Sequence, residues 1–142
     1  MKEVFDKELP RIAYVFGDLS AGGHNMQAYK TMKYSGAYEN CVVISLFDER
    51  GDSIEDSINE LGIKIIRMHI SNADILFNAV KRLSGLLAAD KCEIAHSNGL
   101  KSDLLCMLAT RKSNVKHVIT LHNYLKEDAY LRKNRASAFL AV

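Results

Sequence analysis

Five short apolar runs, at residues 12–16, 41–47, 63–70, 92–96 and 115–121, alternate along the chain with stretches whose apolar residues recur at helical spacing. Runs of this kind, rich in β-branched residues and lacking polar alternation, read as strands buried on both faces. Such strands separated by helices form a parallel sheet, because each parallel crossover needs a covering helix and takes the right-handed route. The expected fold is therefore α/β: a single Rossmann-like, doubly wound parallel sheet with helices on both faces, spanning residues 1–142. A chain of that length buries roughly 70% of the surface its unfolded form exposes, enough for one domain without staples. In the common strand order 3-2-1-4-5, the ligand lies at the carboxyl ends of the strands, beside the first.

The first strand leads through Gly22 and Gly23 into a helix. Two glycines there are expected to permit positive φ and to leave no Cβ between backbone and ligand, while the helix start offers unpaired N–H groups. That combination suits an anion. The helix is expected to run to about Ser35, with Gly36 as its C-cap. Next come a short helix with Ser53 as N-cap and Gly62 as stop, and a longer one capped by Ser71 or Asn72, with Ala79, Leu83 and Leu87 in its apolar stripe. A helix carrying Leu100, Leu104, Met107 and Leu108 follows the fourth strand, and residues 125–142 are expected to be helical with a basic middle.

Composition narrows the function classes. A formal net charge of +2 argues against a dedicated nucleic-acid binder. The charge is uneven, however: residues 46–60 hold six acids against one base, and residues 111–142 hold seven bases against two acids. Lys126, Arg132, Lys133 and Arg135 would suit a peripheral contact with an anionic membrane surface. Cys41, Cys92 and Cys106 show no metal-ligand spacing and are expected to be buried thiols in a reducing cytoplasm. The charged first eight residues do not read as a signal peptide, and no apolar run approaches a membrane span. Neither the phosphate-loop pattern, Gly-x-Gly-x-x-Gly nor Gly-x-Ser-x-Gly occurs, and no Asp-x-Asp pair is present to hold a divalent metal.

Polar residues interrupt the apolar pattern at three strand ends. These are Gly22, Gly23 and His24 after the first strand, His96, Ser97 and Asn98 after the fourth, and His122 with Asn123 after the fifth. The expected strand order makes the three loops neighbours. His69 and His117, inside strands, read instead as structural groups.

Leu19-Ser20-Ala21-Gly22-Gly23, the segment from Glu93 through His96-Ser97-Asn98-Gly99 to Leu104, and Val118-Ile119-Thr120-Leu121-His122-Asn123 resemble successive landmarks of family-four glycosyltransferases of the GT-B fold. Leu61-Gly62-Ile63 fits the same pattern. The resemblance covers nearly the whole chain. It implies the N-terminal, acceptor-side half of a retaining enzyme that moves sugar from a nucleoside-diphosphate sugar to a glycan or lipid-linked acceptor, with no other cofactor and no metal. It also implies that Gly22 and Gly23 face the donor diphosphate and that His122 contacts the donor sugar as the catalytic histidine. His24, Asn25, His96, Asn98 and Asn123 fall to the acceptor side. The sequence departs from the family in two places: an acid is common soon after Gly-Gly, where Asn25 or Met26 stands, and a second histidine where Asn98 stands. The family's donor domain carries two glutamates separated by seven residues, a spacing absent here, so the chain is expected to stop before that domain. The competing class is a non-catalytic doubly wound module that binds a phosphorylated ligand or a protein partner.

Overall fold

The computed structural model describes residues 9–36, 38–49, 51–71 and 76–121. Five strands, β1 (Ile12–Phe16), β2 (Cys41–Ser45), β3 (Lys64–Arg67), β4 (Ile94–Asn98) and β5 (Lys116–Ile119), form one parallel sheet in the order β3-β2-β1-β4-β5. Four α-helices connect them: α1 (Gly23–Tyr34), α2 (Glu55–Glu60), α3 (Leu76–Ala89) and α4 (Leu100–Thr110). The expected α/β doubly wound sheet is the observed one, in the expected order.

Strand alternation divides the core in two. Ala13, Val15, Val42 and Ile44 face one side, where Leu83 and Leu87 of α3 and Leu105 and Cys106 of α4 close over them. Tyr14, Phe16 and Val43 face the other, against Tyr29 and Met32 of α1 and Ile58 of α2. β1, paired on both edges and covered on both faces, is the centre of the molecule. All three cysteines are buried and free, and burial pushes the Cys106 thiol up to about 12. Thiols so placed are packing groups.

The bounds of β1 match the sequence pattern, and those of the other strands differ from it by up to three residues. β4 starts at Ile94 and continues to Asn98, because Val15 and Phe16 of β1 still offer it a backbone ladder. The strand therefore outlasts its apolar run. α1 ends as expected, with Ser35 at the C-cap and Gly36 at φ +70°. Gly62, also at φ +70°, follows α2. Ser53 does act at the start of α2, its hydroxyl accepting the Glu55 N–H at 3.1 Å. The stretch expected to be helical after residue 125, and its four bases, lie outside the described residues.

The acid-rich stretch after β2 is partly consumed by one arginine. Arg67, at the end of β3, donates Nη1 and Nη2 to the two carboxylate oxygens of Glu49 at 2.7 Å each, and Nη2 also reaches Glu55 at 2.5 Å. The Arg67 hydrogen bonds hold the Glu49 carboxyl down at about 2. A carboxyl lowered in the fold stabilises above its unfolded pKa and loses that contribution as pH falls through the folded value. Thermal melts should therefore drop between about pH 4.5 and pH 2 by an increment that disappears in Glu49→Gln. Equal acid sensitivity in the two proteins would count against the pairing.

Candidate functional site

The carboxyl edge beside β1 holds a cleft of about 430 Å³. Its walls come from the loop between β1 and α1, including Asp18, Ser20 and Gly22, and from the β4–α4 junction, including Asn98, Gly99 and Lys101. β1 and β4 are neighbours whose following helices lie on opposite faces, so their loops part and leave the crevice between them.

Two helices begin at this cleft, each with a glycine N-cap. Gly22 precedes α1 and Gly99 precedes α4, and neither helix start carries a side-chain cap. N-terminal N–H groups and helix dipoles thus point toward the same space. Among the lining residues Lys101 is the base and Asp18 the acid. The Asp18 carboxylate accepts the Ser20 N–H at 2.9 Å. The ammonium of Lys101 lies 5.1 Å from the centre of the Phe47 ring.

Gly22 and Gly23 do not use the positive φ that glycine permits. Gly22 is extended, at φ −95° and ψ 161°, and Gly23 is not among the positive-φ glycines. Their use is space: a Cβ on Gly23 would meet nothing within 4 Å, and one on Gly22 would meet only the His24 ring and the Ser20 carbonyl. Conformational freedom is needed instead at Gly99, at φ +114°. Gly99 and Lys101 were missed as site residues, although the signal was the same as at Gly-Gly: a strand end followed by glycine and a helix.

Backbone bonds fix the loop after β1 on one flank. Ala21 N–H donates to the Asp52 carbonyl at 2.8 Å and Ile54 N–H to the Leu19 carbonyl at 2.9 Å. On its other flank stand two buried asparagines. Asn25 Nδ2 donates to the carbonyls of Asp18 and Ser20, at 2.9 and 2.8 Å. Asn98 Nδ2 donates to the His24 carbonyl at 3.1 Å and to Asn25 Oδ1 at 3.3 Å.

The histidines are spread differently from the sequence pattern. His24 is exposed and lines the cleft. His96 is the third of the five residues of β4, in register with Tyr14, not at the strand's end. Its ring lies 4.9 Å from that of Tyr14, and Nε2 is 2.6 Å from the Thr120 hydroxyl. His122 and Asn123 lie outside the described residues.

A Ser-His-Asp grouping sits nearby. The Ser97 hydroxyl donates to Asp103 at 2.6 Å, with His117 Nε2 2.8 Å from the same oxygen. Ser97 is wholly buried and its proton is committed to the acid, so this is a brace between β4, β5 and α4, not a nucleophile. Burial lowers the His117 pKa, and the Asp103 charge opposes that shift.

No protein-family model and no curated protein matches the chain. Solved structures do. HepE of Anabaena, solved in complex with UDP and glucose, matches 94% of this chain and 35% of its own, with TM-score 0.69 and 14% identity. The lipopolysaccharide outer core galactosyltransferase WaaB matches 92% of this chain and 37% of its own, with TM-score 0.60 and 21% identity. Glycinamide ribonucleotide transformylase 1 of Symbiobacterium toebii matches 92% of this chain and 64% of its own, with TM-score 0.59 and 16% identity. The chain thus has the Rossmann-like fold found in a domain of GT-B glycosyltransferases, and it spans about a third of the length of HepE or WaaB. The transformylase shares that fold with a different chemistry. At these identities the likeness is one of fold.

Gly99, the cap of α4, and Gly23, the first residue of α1, have opposite requirements, which a pair of variants separates. Gly99→Ala should cost about 1–3 kcal/mol of stability, because alanine is strained at that φ. Gly23→Ala should change stability by less than about 1 kcal/mol. Chemical denaturation measures both, and equal losses would contradict the backbone geometry.

Proposed function

We propose that this chain is the acceptor-side half of a retaining glycosyltransferase that takes its sugar from a nucleoside-diphosphate donor. The observation that carries the reading is the convergence of two glycine-capped helix starts and Lys101 on one cleft at the topological switch point. A diphosphate fits such a place: backbone N–H groups donate to its oxygens, the helix dipoles favour its charge, and glycine lets it approach the main chain. The fold shared with HepE and WaaB supports the same reading.

In this proposal Gly22 and Gly23 meet the donor diphosphate and His24 stands on the acceptor side. His96, under Tyr14 and Thr120, contributes from within the sheet. His122 and Asn123 keep the roles that the resemblance implies, catalytic and acceptor-side. The acceptor is a glycan or a lipid-linked glycan, met at the inner face of the membrane. Among the described residues no helix is long and apolar enough to cross a membrane. A contact with lipid would therefore be peripheral, through Lys126, Arg132, Lys133 and Arg135. No metal or further cofactor is part of the proposal, and among the described residues no group of histidine, cysteine, aspartate and glutamate is placed to hold a metal.

Chemistry needs a second half. Holding donor and acceptor together accounts for roughly 7–11 kcal/mol of such a barrier. The cleft by itself supplies one wall, in contact with water that screens its charges.

The 142-residue chain should therefore bind UDP or a UDP-sugar no tighter than about millimolar, roughly −4 kcal/mol, and transfer no sugar in multiple turnovers. Calorimetry and a transfer assay test this, with Gly22→Val, which places a side chain in the cleft, as the control expected to abolish binding. Binding that Gly22→Val leaves intact would move the ligand elsewhere. Multiple turnover by the chain alone would show that its catalytic apparatus is complete.

A further inference from the structure

Asn98, where the sequence departs from the pattern it resembles, touches Asn25, which with Met26 marks the other departure. Asn25 lies in the first turn of α1 and Asn98 ends β4, 2% and 3% exposed respectively. Their bonds form a chain: Asn98 Nδ2 to Asn25 Oδ1 and the His24 carbonyl, then Asn25 Nδ2 to the Asp18 and Ser20 carbonyls. Three carbonyls of a single loop, at residues 18, 20 and 24, are thereby held by two side chains.

The chemistry demanded of residue 25 is narrow. It has to donate twice from one atom, toward two carbonyls, and accept once on another, from residue 98. A primary amide does this and a carboxylate does not, since it carries no donor when ionised. A carboxylate there would face the Asp18 and Ser20 carbonyls with no proton to share. It would also put an acid into the first turn of α1, which has none. Residue 98 has to donate, and its burial leaves no water to replace it.

We propose that Asn25 and Asn98 are a positioning pair for the site: together they clamp the loop of residues 18–24, fixing the direction of the Gly22 and Gly23 backbone, and they do so without a charge that would repel an anion. Either asparagine acts through the loop it shapes. The nature of that ligand rests on the proposed function, whereas the clamp does not.

Hydrogen–deuterium exchange on the 142-residue chain separates the two, using Asn25→Asp, Asn98→Ala and their combination, alongside melting curves and UDP titrations. Each single variant should speed exchange of amides 18–24 by about tenfold, near the effect of one lost hydrogen bond. Amides of β1 and β2 should change less than about twofold, and the double variant should be little worse than the worse single, because both residues act through one clamp. UDP affinity should fall by about the same factor as loop exchange rises. If the unaltered chain binds no UDP, the ligand assignment fails while the exchange pattern still decides the clamp. Should Asn25→Asp fail to fold, Asn98→Ser carries the same readout, since it removes the contact to Asn25 and leaves a hydroxyl in the space. Exchange unchanged in the loop, or raised equally across the whole sheet, overturns the proposal.

Discussion

The placement of β1 governs the rest of the molecule. It pairs in parallel with β2 on one side and β4 on the other, and both of its faces are buried. A strand in that position has no polar surface to offer, so its residues 13–16 are wholly or almost wholly out of water. Chain direction then reverses in topology about it: β2 and β3 extend one way, β4 and β5 the other. Helices leaving β1 and β4 pass to opposite faces, and the crevice between their starts follows from connectivity alone. The site is thus a by-product of the core's architecture, finished by loop chemistry.

The fold was legible because its signal is redundant. Five apolar runs, spaced by helical periodicity, leave few arrangements, and hydrophobic burial and crossover handedness agree on one of them. Element ends were less legible, and β4 shows why. A strand continues as long as a neighbour supplies hydrogen bonds, whereas the apolar run stops where side chains leave the core. Ser97 and Asn98 read as loop by side chain, yet they are strand by backbone. That difference of two residues moved His96 from the edge to the middle of the sheet.

The site was half legible. Glycines between strand and helix marked the edge where the cleft lies, but the glycine there that takes positive φ is Gly99. No pattern in one sequence distinguishes a glycine kept for its φ from one kept for its missing side chain. Asn98 was legible as a candidate because it is a polar residue near a strand end, and Asn25 only through the resemblance. Their geometry was not, because a contact 73 residues apart is a property of the sheet order and not of any local stretch.

The electrostatics of the carboxyl edge follow a consistent rule once those contacts are known. Acids crowd the loop after β2, but Glu49 and Glu55 are bound to Arg67, and Asp48 pairs with His69 at 2.6 Å. Asp103, the acid in the first turn of α4, takes the Ser97 hydroxyl, and Asp18 takes a backbone N–H of its own loop. Each of these carboxylates is turned to a partner on its own side of the cleft. The space between α1 and α4 is lined by neutral amides, glycine backbone, His24, one acid, Asp18, and one lysine, Lys101. Buried amides are costly unless satisfied, and here the Nδ2 groups of Asn25 and Asn98 are spent on carbonyls of residues 18, 20 and 24 or on the other amide. An acid in the same role would hold the loop no better and would oppose an anionic ligand at short range. Asparagine at both positions therefore braces the loop without adding a further negative charge beside the two helix starts.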